Sequence, residues 1–148
     1  MTIYIGADHR GFNLKEHLKI VLKNEAYDVV DVGAMAYDKD DDFPDFAQLV
    51  AEKVSSASET DRGILICGSG FGMDIAANKY KNVRAVLPMS ADHAYLARHD
   101  DDANVLAIAA DFTDKGTAEQ IAKVFLATPF TKEDRHERRI EEIRGSEN

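Results

Sequence analysis

The stretch GILICGSGFGMDIAANK, residues 63–79, decides how this chain reads. Its first part, GILICG (63–68), is apolar at nearly every position, the pattern of a parallel strand covered on both faces. Three alternating glycines, Gly68, Gly70 and Gly72, then let the backbone turn sharply, and a helix-compatible segment follows. A strand that passes through a glycine turn into a helix is the opening of a βα unit.

The same alternation recurs on both sides. TIYIG (2–6) reads as a buried strand, followed by a helix over Phe12 to Asn24 with Leu14, Leu18, Val21 and Leu22 at helical spacing. YDVVDVG (27–33) is a second strand. Residues 34–45 form a polar loop with Asp38, Asp40, Asp41, Asp42 and Pro44, and a helix from Asp45 to Ser56 carries Phe46, Leu49, Val50 and Val54. Beyond the central unit come a strand VRAVLPM (83–89), a helix ADHAYLARHD (91–100), a strand NVLAIAA (104–110), a helix over Thr117 to Leu126, and a charged helix over Lys132 to Arg144. Five such units predict an α/β fold with right-handed crossovers. The expected form is a doubly wound five-stranded parallel sheet, a flavodoxin-like three-layer sandwich of strand order 2-1-3-4-5. The C-terminal helix has little sheet left to cover and is expected to reach across a neighbouring subunit.

Composition narrows the function. A chain of 148 residues fits one domain, 1–148, and its 45% hydrophobic content supplies a core. No apolar run approaches the ~20 residues of a membrane helix, and the N-terminus reads as a core strand, not a signal peptide. A single cysteine rules out an intrachain disulfide and suits a reducing cytoplasm. The net charge of −9 argues against nucleic acid as partner. An acidic protein that binds an anion must gather its positive charge locally.

In doubly wound sheets, ligands bind outside the carboxyl ends of the strands. That places the chemistry at Asp8, His9 and Arg10 after the first strand and at Cys67 to Gly72 after the third. The glycine loop points several N–H groups at one spot, a nest for a phosphate or a developing oxyanion, although a plain tight connection has the same pattern. It lacks the lysine of a nucleotide-hydrolase loop and the glycine spacing of a dinucleotide fold. Cys67 sits at the mouth of the nest. A lone cysteine is commonly a small core hydrophobe, yet this nest is expected to lower its thiol pKa toward neutrality. Phosphoester attack in the manner of the low-molecular-weight tyrosine phosphatases calls for arginine six residues on, where Met73 stands, and dithiol chemistry calls for a second cysteine. Proton abstraction beside a carbonyl remains, with the thiolate as base and the amides holding an enediolate. Arg135 and Arg139, four apart on one helix face, can converge on a phosphate dianion, or else belong to a merely solvated helix.

GADHRGF, DFPDFA, GILICGSGFGMDIAANK, VRAV, ANVLAIA and RHERRI, in that order from Ile3 to Ile143, resemble the type B ribose-5-phosphate isomerases, a family that includes the galactose-6-phosphate isomerase subunits. The resemblance implies the doubly wound fold, homodimers or homotetramers with sites built between subunits, and no metal or organic cofactor. It implies Cys67 as the proton-transferring base. Gly68, Ser69, Gly70, Phe71 and Gly72 become the anion hole, Asp8 the holder of sugar hydroxyls or the ring oxygen, and His9, Arg135 and Arg139 the phosphate ligands. The family's ring-opening histidine and its following asparagine fall on Asp100 and Asp101 here, and the neighbouring histidine, His99, lies one place early. Asp111 stands where relatives often carry arginine, and Phe43 where tyrosine is common. The implied activity is interconversion of ribose 5-phosphate and ribulose 5-phosphate in a cytoplasmic pentose phosphate pathway. Alternatives are an isomerase of allose or galactose 6-phosphate, or a catalytically silent relative that binds a sugar phosphate.

Overall fold

A computed structural model describes residues 1–57 and 59–147. The elements are β1 (Thr2–Ala7), α1 (Phe12–Asn24), β2 (Asp28–Gly33), α2 (Phe43–Ser56), β3 (Arg62–Cys67), α3 (Phe71–Ala77), β4 (Ala85–Val86), α4 (Ala91–His99), β5 (Val105–Ala109), α5 (Lys115–Ala127) and α6 (Asp134–Gly145). All strand pairs are parallel, and the sheet runs β2-β1-β3-β5-β4.

Every residue of β3 is buried, as its unbroken apolar run predicts. Because side chains alternate across a strand, Ile64 and Ile66 enter one core layer with Ile3, Ile5, Leu18, Leu106 and Phe125. Leu65 and Cys67 point the other way, into a layer with Val50, Val54, Met73 and Val105 beneath α2 and α3. The helices therefore cover both faces.

The strand order and several element boundaries differ from the sequence reading. The order is 2-1-3-5-4 and not 2-1-3-4-5: the wholly apolar VLAIA of β5 takes the inner place, and β4 keeps two residues at the edge. Arg84 and Pro88 flank β4, and such residues favour an edge position. Helix α2 starts at Phe43, two residues early, because Pro44 fits the first helical turn, where its missing N–H costs nothing.

Lys15, fully buried on α1, donates from Nζ to both carboxylate oxygens of Asp31 (2.8 and 2.7 Å) and to the Ala34 carbonyl (2.6 Å). This anchors the start of the loop that carries Asp41 toward the carboxyl edge of the sheet.

Candidate active site

The carboxyl ends of β1, β3 and β5 are laced together by backbone hydrogen bonds. Asp8 N–H donates to Ile66 O (3.3 Å), Ala110 N–H to Cys67 O (2.8 Å) and Asp111 N–H to Gly68 O (3.0 Å). The loop 68–70 is thus held from both sides. Gly70 opens α3 with φ 77°, a left-handed conformation that a side chain resists, and a Cβ there would lie 2.5 Å from a Leu87 methyl. At Gly72 a Cβ would strike the Phe43 ring at 2.7 Å, so the aromatic ring lies directly on the start of α3.

Cys67 ends β3 with 4% exposure. Its sulfur accepts the Gly70 N–H at 3.2 Å, so it does face the glycine loop. The expected drop in its pKa is overturned. Burial pushes the thiol up, more strongly than the amides of Met73, Gly70 and Ser69 pull it down, and the neighbouring Asp8 carboxylate adds to the rise. Desolvation of a nearly enclosed thiolate wins over three neutral donors.

Asp8 is buried, and its Oδ1 accepts the N–H groups of Arg10 and Gly11, both at 3.0 Å. Burial raises its carboxyl pKa against those two bonds. His9 leans on the acidic loop: its backbone N–H (2.9 Å) and its Nδ1–H (2.6 Å) both donate to Asp41 Oδ1. That carboxylate bond raises the imidazole pKa and favours the imidazolium. The second oxygen of Asp41 is buried with no partner among the described residues. Arg10 pairs with Asp111 across the mouth, over Gly68, where a Cβ would meet Arg10 Nε at 2.5 Å. Ser69 and Phe71 are exposed at the rim.

His99, Asp100, Asp101, Arg135 and Arg139 do not join this group. α4 descends from the carboxyl edge after β4, so its last residue, His99, lies at the amino edge. There Asp102 O accepts from Arg84 Nε (3.0 Å), and Asn104 O accepts the Gly63 N–H (2.9 Å). Five residues of β5 separate the two edges by about 17 Å. At the far edge His99 Nδ1–H donates to Asp100 Oδ1 (2.7 Å), and its ring stacks on Tyr95 at 5.0 Å. The start of α6 lies there too: Thr131 N–H donates to His99 O (3.0 Å), and His136 Nε2 stands 3.9 Å from Asp100. Arg135 and Arg139 are exposed on that helix. Asp100 is unsuited to act as an acid, because its bond to His99 and the nearby His136 and Arg135 lower its pKa. Among the described residues no group of three His, Cys, Asp or Glu side chains is arranged to hold a metal ion.

The sequence profile described as Ribose/Galactose Isomerase matches residues 3–143. The chain belongs to that family. As a member of the ribose/galactose isomerase family, it is 45% identical over 142 residues to the probable ribose-5-phosphate isomerase B of Mycoplasma genitalium, across 96% of this chain and 93% of that protein. It is 40% identical to a putative sugar phosphate isomerase of Bacillus subtilis, across 97% and 95% of the two chains. The solved structure of the M. genitalium isomerase B with bound ribulose-5-phosphate matches with a TM-score of 0.94 at 44% identity, over 97% of this chain and 94% of that one. The type B ribose 5-phosphate isomerase of Trypanosoma cruzi matches with a TM-score of 0.93 at 39% identity, over 99% and 98%.

Within this ribose/galactose isomerase, nothing in the sequence singles out Asp41, because it stands in a run of acidic residues that reads as solvated loop. Arg10 and Asp111 are 101 positions apart, and nothing in the sequence pairs them.

Proposed function

We propose that this protein interconverts ribose 5-phosphate and ribulose 5-phosphate, with Cys67 moving the proton. The observation that carries the reading is the Cys67 sulfur held against the glycine-loop amides, in a chain that matches the ribulose-5-phosphate-bound relative over nearly all its length. With the open-chain aldose bound, the Cys67 thiolate takes the proton from C2 and electrons flow to the C1 oxygen, giving a cis-enediolate. Backbone N–H groups of residues 68–72 stabilise the oxyanion. The C2 hydroxyl proton passes to the C1 oxygen, and return of the carbon proton from the thiol to C1 leaves a hydroxyl on C1 and the carbonyl on C2. Asp8 orients sugar hydroxyls, and the imidazolium of His9, held by Asp41, attracts the phosphate.

The remaining groups come from a second copy. A sugar phosphate is far shorter than the span between the sheet edges, so one chain supplies Cys67, Asp8 and His9 while its neighbour supplies His99, Asp100, Asp101, Arg135 and Arg139. A two-fold dimer satisfies both exchanges at once. Such an assembly belongs in the cytoplasm, where the lone thiol stays reduced.

The tests are an isomerase assay with Cys67→Ala and a mixing experiment. Cys67→Ala is expected to lose nearly all turnover while remaining folded, and an active alanine variant ends the assignment. Cys67→Ala and Arg139→Met chains, each inactive and co-refolded in equal amounts, are expected to regain about a quarter of wild-type activity, because half of the dimers carry one intact site of two. No recovery rejects the shared site. Asp111, which ties up Arg10 at the mouth, favours a second reading with another sugar phosphate as substrate. Parallel assays with ribose 5-phosphate, allose 6-phosphate and galactose 6-phosphate separate the two by the larger kcat/KM.

A further inference from the structure

The amino edge of the sheet opens onto a cavity of about 1080 Å³, between the strand ends and α6 and at the opposite edge from Cys67. Three arginines stand on its inner wall, and Glu59, Asp61, Asp102, Glu137 and Glu141 also line it. Arg98 is 2% exposed, Arg62 is 9% exposed, and the Arg84 side chain is 12% exposed. Among the described residues one carboxylate is hydrogen-bonded to this group: Asp102 accepts from Arg84 (2.7 Å) and from Arg98 (2.8 Å).

Arg62 is the member without a counterion. Its Nη1 donates to the carbonyls of Glu59 and Asp61, both at 2.8 Å. Its Nε–H is buried with no partner, and among the described residues no carboxylate lies within ion-pair distance. The carboxylate of Asp61 is engaged elsewhere, by the Thr2 N–H (2.7 Å). Arg144, at the rim, is paired with Glu141 (2.6 Å).

A buried guanidinium with an unmet donor is costly, and a chain of net charge −9 has carboxylates to spare for it elsewhere on its surface. Desolvation and repulsion from Arg98 lower the Arg62 pKa to about 10, so it keeps its charge at neutral pH. Phe130, Pro129 and Leu126 add an apolar wall wide enough for an organic body beside the charge.

We propose that this cavity is a second anion site, which binds a phosphate group, free or as the monoester of a small metabolite, at the Arg62 guanidinium. The guanidinium fork, completed by Arg84 and Arg98, matches a tetrahedral dianion in charge and donor geometry.

The experiment follows the arginine Nε–Hε resonances of the full-length protein at neutral pH during titration with inorganic phosphate at constant ionic strength. The Arg62 resonance is expected to shift saturably, and to do so equally in Arg139→Met, which disables the phosphate end of the substrate site. An Arg62 signal that phosphate leaves in place overturns the proposal, and so does a shift that disappears in Arg139→Met. Arg62→Met, which keeps the side-chain volume and removes the charge, is expected to weaken the phosphate affinity of this site at least tenfold. Unchanged affinity in that variant rejects the site, and if it fails to fold the wild-type titration decides alone. Ribose 5-phosphate as a second probe tells a preference for a monoester from one for free phosphate.

Discussion

Lowering the pH should silence the enzyme far above the range where a solvent-exposed thiolate nest would stop working. Cys67 starts from an ordinary thiol value of 9.0, and its enclosure moves it upward against the opposing pull of the Met73, Gly70 and Ser69 amides. At pH 7 the thiolate fraction is then below about one in a hundred, since each unit between pH and pKa is a factor of ten. If the thiolate is the base, kcat/KM should climb about tenfold per pH unit from pH 6 to pH 8 and show no plateau below pH 8.5. The assay is initial-rate ribulose 5-phosphate formation across that range, with iodoacetamide alkylation of the free enzyme measured in parallel as a report on the same thiol. A rate that varies less than threefold between pH 6.5 and pH 8.5, in an enzyme that Cys67→Ala inactivates, would refute the reasoning, because the thiol would already be ionised. The linkage has a definite sign. A thiol whose folded pKa lies above its unfolded one contributes stability that is complete below the unfolded value and is lost as pH rises through the folded one. Wild type should therefore lose stability relative to Cys67→Ala on the alkaline side and nowhere else.

Gly11→Ala should destabilise the fold by about 3 kcal/mol, the upper end for overpacking, because a Cβ there would lie 2.5 Å from the Ile66 carbonyl carbon, a backbone atom that cannot rotate away. Urea unfolding reads this as a lower midpoint, with Gly145→Ala, which meets nothing within 4 Å, as the neutral comparison. Asp41→Asn should lower the His9 pKa, since the carboxylate bond is what raises it, and should raise KM for the sugar phosphate near neutral pH. An NMR titration of the imidazole checks this, and an unmoved midpoint removes Asp41 from the site. The stability this bond contributes is present below the ordinary histidine value of 6.5 and fades as pH rises through the elevated one.

Much of the fold is legible in the sequence because β3 declares itself. Six consecutive buried positions leave no alternative to an inner parallel strand, and the helices on either side carry their apolar residues at helical spacing. The exchange of β4 and β5 was readable too, from the contrast between VLAIA and a strand flanked by Arg84 and Pro88, but local periodicity ranks strands only weakly by depth. The site divides differently. Asp8, His9 and Cys67 follow from the rule that ligands sit beyond strand carboxyl ends. What sequence order hides is that His99 and Arg135 end up at the other edge of the same sheet. A helix carries its last residue back to where the next strand begins, so motif residues adjacent in an ordered list need not be neighbours in one chain. The direction of the thiol pKa is not legible in the sequence, because a glycine loop displays its donors there, whereas the enclosure that outweighs them arises only when α2 and α3 close over the strand.

The sheet's outermost strand on one side is a two-residue stub, Ala85–Val86, followed closely by Pro88. Open ladders of N–H and C=O groups invite stray chains to dock and extend them, and long flat margins are where fibrils start. A margin this brief, with a residue nearby that cannot donate, gives an intruding strand almost nothing to grip. Lengthening it, for example with Pro88→Val, would offer a foothold for chain-to-chain stacking and should show first as turbidity on storage, before any change in catalysis.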